Sequence, residues 1–182
     1  TSAEKALMFH RQNQDIFNSP CAPAIERYTG VVYEHIDWPS ISNKAKDYME
    51  KNVFIFSGLF GLLSPRTPIP DYKLKMNVLS LQHHWNPILT EALNDEKMII
   101  DLLPQVHRKA YTPNKDNVTF IDFLILNKGK KSAAGHFGKA VKGEFIRYIA
   151  ENNINNIDDF SGFEYEGFKW DGEAFIKEEN NF

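Results

Sequence analysis

The sequence predicts a mixed α/β fold in a single compact domain, with about five strands and five helices. Three observations carry this expectation. Apolar runs of strand length at Val53–Phe56, Met98–Leu103 and Val118–Leu126 alternate with stretches of helical periodicity, above all 78–93 and 137–150. The 182 residues, 42% hydrophobic and 25% charged, suffice for a real core, since a chain of this size buries about 70% of its unfolded surface. No linker, repeat or low-complexity tract divides the chain.

Composition also limits the function classes. No run approaches the roughly 18 apolar residues of a membrane span and no signal-peptide pattern is present, so neither a membrane partner nor secretion is expected. The single cysteine, Cys21, cannot form an internal disulfide and fits a reducing compartment. It reads as incidental, because a redox thiol needs an electropositive setting. The net charge of −3 hides an asymmetry: residues 128–150 carry Lys128, Lys130, Lys131, Lys139, Lys142 and Arg147 against Glu144 alone, while 151–182 carry nine acids against Lys169 and Lys177. A basic segment inside an acidic protein points to a confined anion site.

Taken in order, the chain opens at Thr1 without a methionine, as a trimmed product would. Ala3, Ala6, Leu7 and His10 recur at helical spacing, which predicts a helix over 3–14 capped by Ser2. Pro20, Pro23, Gly30 and Pro39 make 18–39 a long connection with one short element around 24–36. Gly30 marks a turn or close packing, and Trp38 reads as a cap on the core before a ligand platform. Ser40 or Ser42 caps a helix over 42–51 that delivers the chain to the buried strand Val53–Phe56. Ser57-Gly58 then turns the chain into the apolar run 59–63. Beyond that run, Pro65, Pro68 and Pro70 forbid regular structure. A rigid, irregular segment leaving a core strand and carrying Arg66, Asp71, Tyr72, Lys73 and Lys75 is where binding or chemistry tends to sit.

The next helix, 78–93, contains Pro87, which should bend or restart it. His83 and His84 diverge by about 100° on that helix and lack i, i+4 partners, so they read as surface side chains. No metal site and no cofactor is expected. A second buried strand, 98–103, ends at Pro104, and His107, Arg108, Lys109 and Tyr111 read as a solvated helix end, with anion contact as the alternative. The strand 118–126 leads through Asn127-Lys128-Gly129-Lys130 into a return strand at 131–134, a hairpin with three lysines at its tip. Over 137–150, Phe137, Val141, Phe145, Tyr148 and Ile149 fall on the inward face, and Lys139, Lys142 and Arg147 on the opposite arc with Gly143 between them. A glycine in a helix interior costs about 1 kcal/mol relative to alanine. Close approach by an outside partner would account for it, and so would a neighbouring helix. A short helix at 156–160, a closing strand at 163–170 and a polar, fraying tail at 178–182 complete the reading.

The stretch Ser57-Gly58-Leu59-Phe60-Gly61-Leu62-Leu63-x-Pro65, followed by Ile69-x-x-Tyr72-Lys73-Leu74-x-Met76, resembles the signature of the YaaA peroxide-stress-protein family. In that family a strand leads to Ser-Gly-Leu-Tyr-Gly-Leu-Leu-Arg-Pro and then Pro-Tyr-Arg-Leu-Glu-Met. A second block, Gly138-Lys139-x-x-Lys142-Gly143-x-x-x-Arg147-Tyr148-Ile149, resembles the family's Ala-Lys-x-Ala-Arg-Gly-x-x-x-Arg-Tyr-Ile. There are departures: Ser64 stands where the family has Arg, Asp71 for Pro, Lys75 for Glu and Lys142 for Arg. The family's Asn-Leu-Ala-Ser-x-Glu-Tyr is replaced by the Asp101–His107 stretch, and its N-terminal strand with a Ser-Pro-x-Lys-Thr-like motif has no match here.

The resemblance implies a compact α/β fold and a cytosolic, bacterial protein that protects against hydrogen peroxide, limits iron-dependent damage and binds DNA through a basic cleft. It also implies a helix-hairpin-helix-like element, to which the Gly58-to-Gly61 turn would belong. The leading expectation is therefore a cytoplasmic, nucleic-acid-binding stress protein. Lys128, Lys130, Lys131, Lys139, Lys142 and Arg147 would meet phosphates beside Gly143, and Ser57, Gly58, Gly61, Tyr72 and Lys73 would line the adjoining cleft. The alternative is an enzyme acting on a nucleotide or damaged base, with 57–61 as a phosphate turn and Tyr72 or Lys73 as acid or base. A third reading is a scaffold that meets an unidentified protein partner through the basic helix.

Overall fold

Ser2 does cap the first helix, its hydroxyl accepting the Lys5 amide at 3.3 Å, and α1 runs Ala3–Gln14 as the spacing predicts. This computed structural model describes residues 2–179. The long connection holds β1 (Ala22–Pro23) and two short helices, α2 (Ala24–Arg27) and α3 (Val31–Ile36), where the sequence suggests one element. Gly30 separates the helices with φ 135, a value open to glycine. Of the two serines that could cap α4 (Asn43–Asn52), it is Ser42 whose hydroxyl takes the Ala45 amide, at 3.1 Å. The central strand is shifted towards the signature, β2 being Ile55–Ser57, and β3 (Gly61–Leu63) and β4 (Pro68–Ile69) come after it. Then come α5 (Leu81–Ala92) with Pro87 inside it, β5 (Ile99–Asp101) and α6 (Gln105–Arg108).

The expected strand 118–126 is two strands, β6 (Val118–Phe120) and β7 (Phe123–Asn127), which join different sheets. β6 pairs with β5, whereas β7 enters a five-stranded sheet. The remainder is β8 (Lys130–Ala133), α7 (Gly135–Asn152), a 3₁₀ turn over Ile157–Gly162, β9 (Glu164–Tyr165), β10 (Phe168–Trp170) and β11 (Phe175–Glu178). Glu178, expected in a fraying tail, is in fact a strand residue. The rest of that tail beyond Glu179 lies outside the described residues. The fold is mixed α/β as expected, with more strands and helices because several elements are only two to four residues long.

Internal packing gathers the chain into two compact units. The first takes the chain up to Arg27, Val53–Ile99 and Leu103–Val118. Its core is Phe56, Met76, Leu89, Leu93, Ala110 and Tyr111, with Leu62 and Trp85 packed against them. β2 and β3 form an antiparallel hairpin, and β1 pairs with β4. α1 buries none of its residues. It is tied down near its C-terminal end, where the Asn13 amide side chain accepts the Lys73 N–H at 2.8 Å and donates to the Lys73 carbonyl at 2.9 Å.

The second unit takes Tyr28–Asn52, Ile100–Leu102 and the chain from Thr119 on. Its sheet has the order β8-β7-β11-β10-β9, antiparallel except that β11 lies parallel to β7. One face of that sheet packs on α7 through Phe123, Phe145, Phe160, Phe163, Phe168 and Phe175. Phe145 is central, its ring 4.6 Å from Phe175 and 5.0 Å from Phe160. Val141 and Ile149 point inward as the periodicity predicts. Phe137 does not: it is 38% exposed in the first turns of α7, resting on Phe168 with Lys177 Nζ above its ring. Trp38 is buried, as expected of a cap on the core.

Candidate functional site

In the first unit, the signature folds around one serine hydroxyl. β2 ends at Ser57, the chain turns over Gly58, Leu59 and Phe60, and Gly61 returns opposite Ser57. Ser57 Oγ accepts the Leu59 and Phe60 amides at 3.2 and 2.9 Å and lies 2.6 Å from Tyr72 Oη. With two amides on its lone pairs, the Ser57 hydroxyl has its proton left to donate to Tyr72. Both side chains are buried, Ser57 at 1% exposure and Tyr72 at 8%. Phe60 closes over this knot with its ring edge-on to Tyr72 at 5.4 Å.

The signature glycines serve close packing. A Cβ on Gly58 would stand 2.8 Å from the Leu74 carbonyl oxygen, and one on Gly61 2.5 Å from the Trp85 ring. Trp85 is itself fixed, its Nε1–H donating to the Gly58 carbonyl at 3.0 Å. The turn joins two strands and not two helices, which corrects the helix-hairpin-helix expectation. Its Leu59 and Phe60 amides face Ser57, so the reading of 57–61 as a phosphate turn loses two of its donors. Lys73 has its backbone clamped by Asn13 and its side chain exposed. Ser57→Ala is expected to cost about 1–2 kcal/mol, because two part-buried amides lose their acceptor, and a urea titration reads this as a lower midpoint.

In the second unit, α7 presents its polar arc to neighbours within that unit. A Cβ on Gly143 would collide with the Val32 carbonyl oxygen and stand 2.5 Å from His35 Cβ. The close approach that Gly143 permits is therefore that of α3. Glu144 Oε1 lies 3.0 Å from His35 Nδ1. Arg147 donates to the Ile36 carbonyl at 3.3 Å and to Ser40 Oγ at 2.6 Å, with Asp37 at 3.6 Å, and so closes the C-terminal end of α3. One turn on, Glu151 takes both the hydroxyl and the amide of Ser42, and these two bonds hold its carboxyl below the usual range. Lys142 donates to the Leu102 carbonyl at 2.5 Å. Of the helix cations, Lys139 stays exposed.

The β7–β8 hairpin is the expected one. Asn127 pairs with Lys130 across a two-residue turn, with Lys128 at φ 48 and Gly129 at φ 76. Lys131 pairs with Asp171 at 3.1 Å, and the Ala174 and Glu173 amides, more than that lysine, hold the Asp171 carboxyl below its usual range. Lys128, Lys130 and Lys139 form no ion pair among the described residues. His107 does not end a solvated helix: its Nδ1 is buried without a hydrogen-bond partner among the described residues, and burial lowers its pKa. Sequence reasoning misses Asn13, Trp85, His35, Glu144 and Glu151. Only Glu144 carries a signal, as the lone acid in the basic segment. The described residues hold no group of three or more His, Cys, Asp or Glu fit for a metal ion, and no helix long and apolar enough to cross a membrane.

Known proteins resemble this chain along most of its length. A family model described as peroxide stress protein YaaA matches residues 1–174. A UPF0246 protein of Flavobacterium johnsoniae is 33% identical over 82% of this chain and 64% of its own length. One of Lactobacillus helveticus is 31% identical over 79% of this chain and 62% of its own. A Rickettsia conorii relative is 28% identical over 92% and 72%. The chain thus spans less than two thirds of the first two relatives.

Proposed function

The chain belongs to the YaaA peroxide stress protein family, and from that premise we propose that it is a cytoplasmic bacterial protein that limits peroxide and iron-dependent damage by binding DNA through its exposed lysines. The observation that supports this is the set of exposed cations at Lys128, Lys130 and Lys139, free of ion pairs among the described residues of a protein whose net charge is −3. Lys131 joins them when phosphate replaces Asp171, and Lys73 offers an exposed cation in the first unit. Lys142 and Arg147 act in this reading as the residues that fix α7, together with Gly143. Ser57, Gly58, Gly61 and Tyr72 hold the turn that shapes the signature segment.

The enzymatic alternative is the weaker one. It asks for an accessible nucleophile or acid-base group in the signature; Ser57 and Tyr72 are buried against each other, which leaves it Lys73 but no exposed nucleophile at Ser57.

The test is fluorescence-anisotropy binding of labelled duplex and single-stranded DNA over a range of salt. Binding through three or four lysine–phosphate contacts is expected to give a log–log salt slope of about −3 for duplex. A wild-type chain that binds neither form at low salt defeats the proposal.

A further inference from the structure

We propose that the β7–β8 hairpin enters the major groove of duplex nucleic acid, with its tip lysines on the phosphates of both walls; this rests on the DNA-binding reading above. Successive residues of a strand project to opposite faces, so the pairs Asn127–Lys130 and Leu126–Lys131 place Lys130 on one face of the ribbon and Lys131 on the other. Lys128 occupies the turn between Asn127 and Lys130, at φ 48. Cations therefore surround the tip. A flat anionic surface would be met by one face of such a ribbon, whereas a groove has phosphates along both sides.

Size and position agree with this. All four residues of β8 are exposed, and β8 is the outermost strand of its sheet, leaning on β7. β11 accompanies β7 up to the Glu178–Leu126 pair, and the two turn residues lie past that point. Two strands about 4.8 Å apart, with side chains on both faces, match a major groove about 12 Å wide and exceed a minor groove of about 6 Å. Among the described residues, Asp171 touches the hairpin at Lys131 and Glu179 at Asn127. Neither pairs with Lys128 or Lys130, so those two lysines engage phosphate directly and Lys131 does so by exchanging Asp171.

The experiment combines salt-dependent binding with dimethyl sulfate footprinting of guanine N7, which lies in the major groove. For the wild-type chain on duplex DNA, N7 protection is expected. Lys128→Ala/Lys130→Ala should remove that protection and make the salt slope shallower by about 1.8. Lys128→Arg/Lys130→Arg should restore both, and unchanged circular dichroism establishes that the alanine variant is folded. Duplex binding without N7 protection, or with a slope unmoved in the alanine variant, overturns the hairpin and leaves the DNA-binding reading in place. Absence of duplex binding by the wild type overturns the hairpin, and absence of single-strand binding as well overturns both.

Discussion

Gly143→Ala is expected to destabilise the protein by about 2–4 kcal/mol, although alanine is the better helix former by about 1 kcal/mol. The methyl group would occupy space now filled by the Val32 carbonyl and by His35 Cβ, and neither is the end of a flexible side chain. α3 would have to withdraw from α7. That withdrawal would loosen the Glu144–His35 pair and the bonds of Arg147 to the Ile36 carbonyl and Ser40, which depend on the same spacing. Urea denaturation followed by circular dichroism checks the magnitude. A variant as stable as the wild type would mean that α3 and α7 are not in such close contact in solution.

Gly61→Ala is the second large effect, at about 2–3 kcal/mol, and combines two penalties. Gly61 has φ 75, where an L-residue costs about 1–2 kcal/mol, and its added Cβ would enter the Trp85 ring. The ring cannot simply swing aside, because its Nε1–H is spent on the Gly58 carbonyl. Trp85→Ala removes the obstacle but leaves the backbone penalty. A double-mutant cycle should therefore return a coupling of about 1–2 kcal/mol between the two sites. Coupling near zero would assign the whole effect to the backbone.

These two glycines illustrate how far the sequence can be read. Each is visible as a glycine with a reason, and for Gly143 the neighbouring-helix explanation stands beside that of an outside partner. The sequence does not choose between them, because α3 is more than a hundred residues away and nothing local encodes the contact. Elements with local chemistry are legible. Ser2 and Ser42 cap helices, Lys128-Gly129 turns a hairpin, and Val141, Phe145 and Ile149 repeat at helical spacing.

The failures share a cause. Residues 118–126 keep a β-like composition straight through the break at Ile121-Asp122, so the transfer from β6 to β7 leaves no mark. β11 has the composition Phe-Ile-Lys-Glu, which signals nothing by itself, and becomes a strand because β7 and β10 flank it. At the candidate site, the charge is legible but its assignment is not. Arg147 and Lys142 look the same in sequence as Lys139 and Lys130, yet carbonyl oxygens take the first two and solvent the others.

The central place of β11 has a consequence for how the chain assembles. The β7–β8 and β9–β10 hairpins are each local and can close within microseconds of being made. They cannot join into one sheet until Phe175–Glu178 has left the ribosome and threaded between them, because β11 alone bridges β7 to β10. Until then the inner edges of both hairpins stand open to other chains; β11 covers β10 by a local antiparallel pairing, but the step that closes β7 is a late, long-range, parallel pairing of the kind that folds slowly. The interval between synthesis of β7 and arrival of β11 is therefore the time in which the nascent chain is most exposed to aggregation.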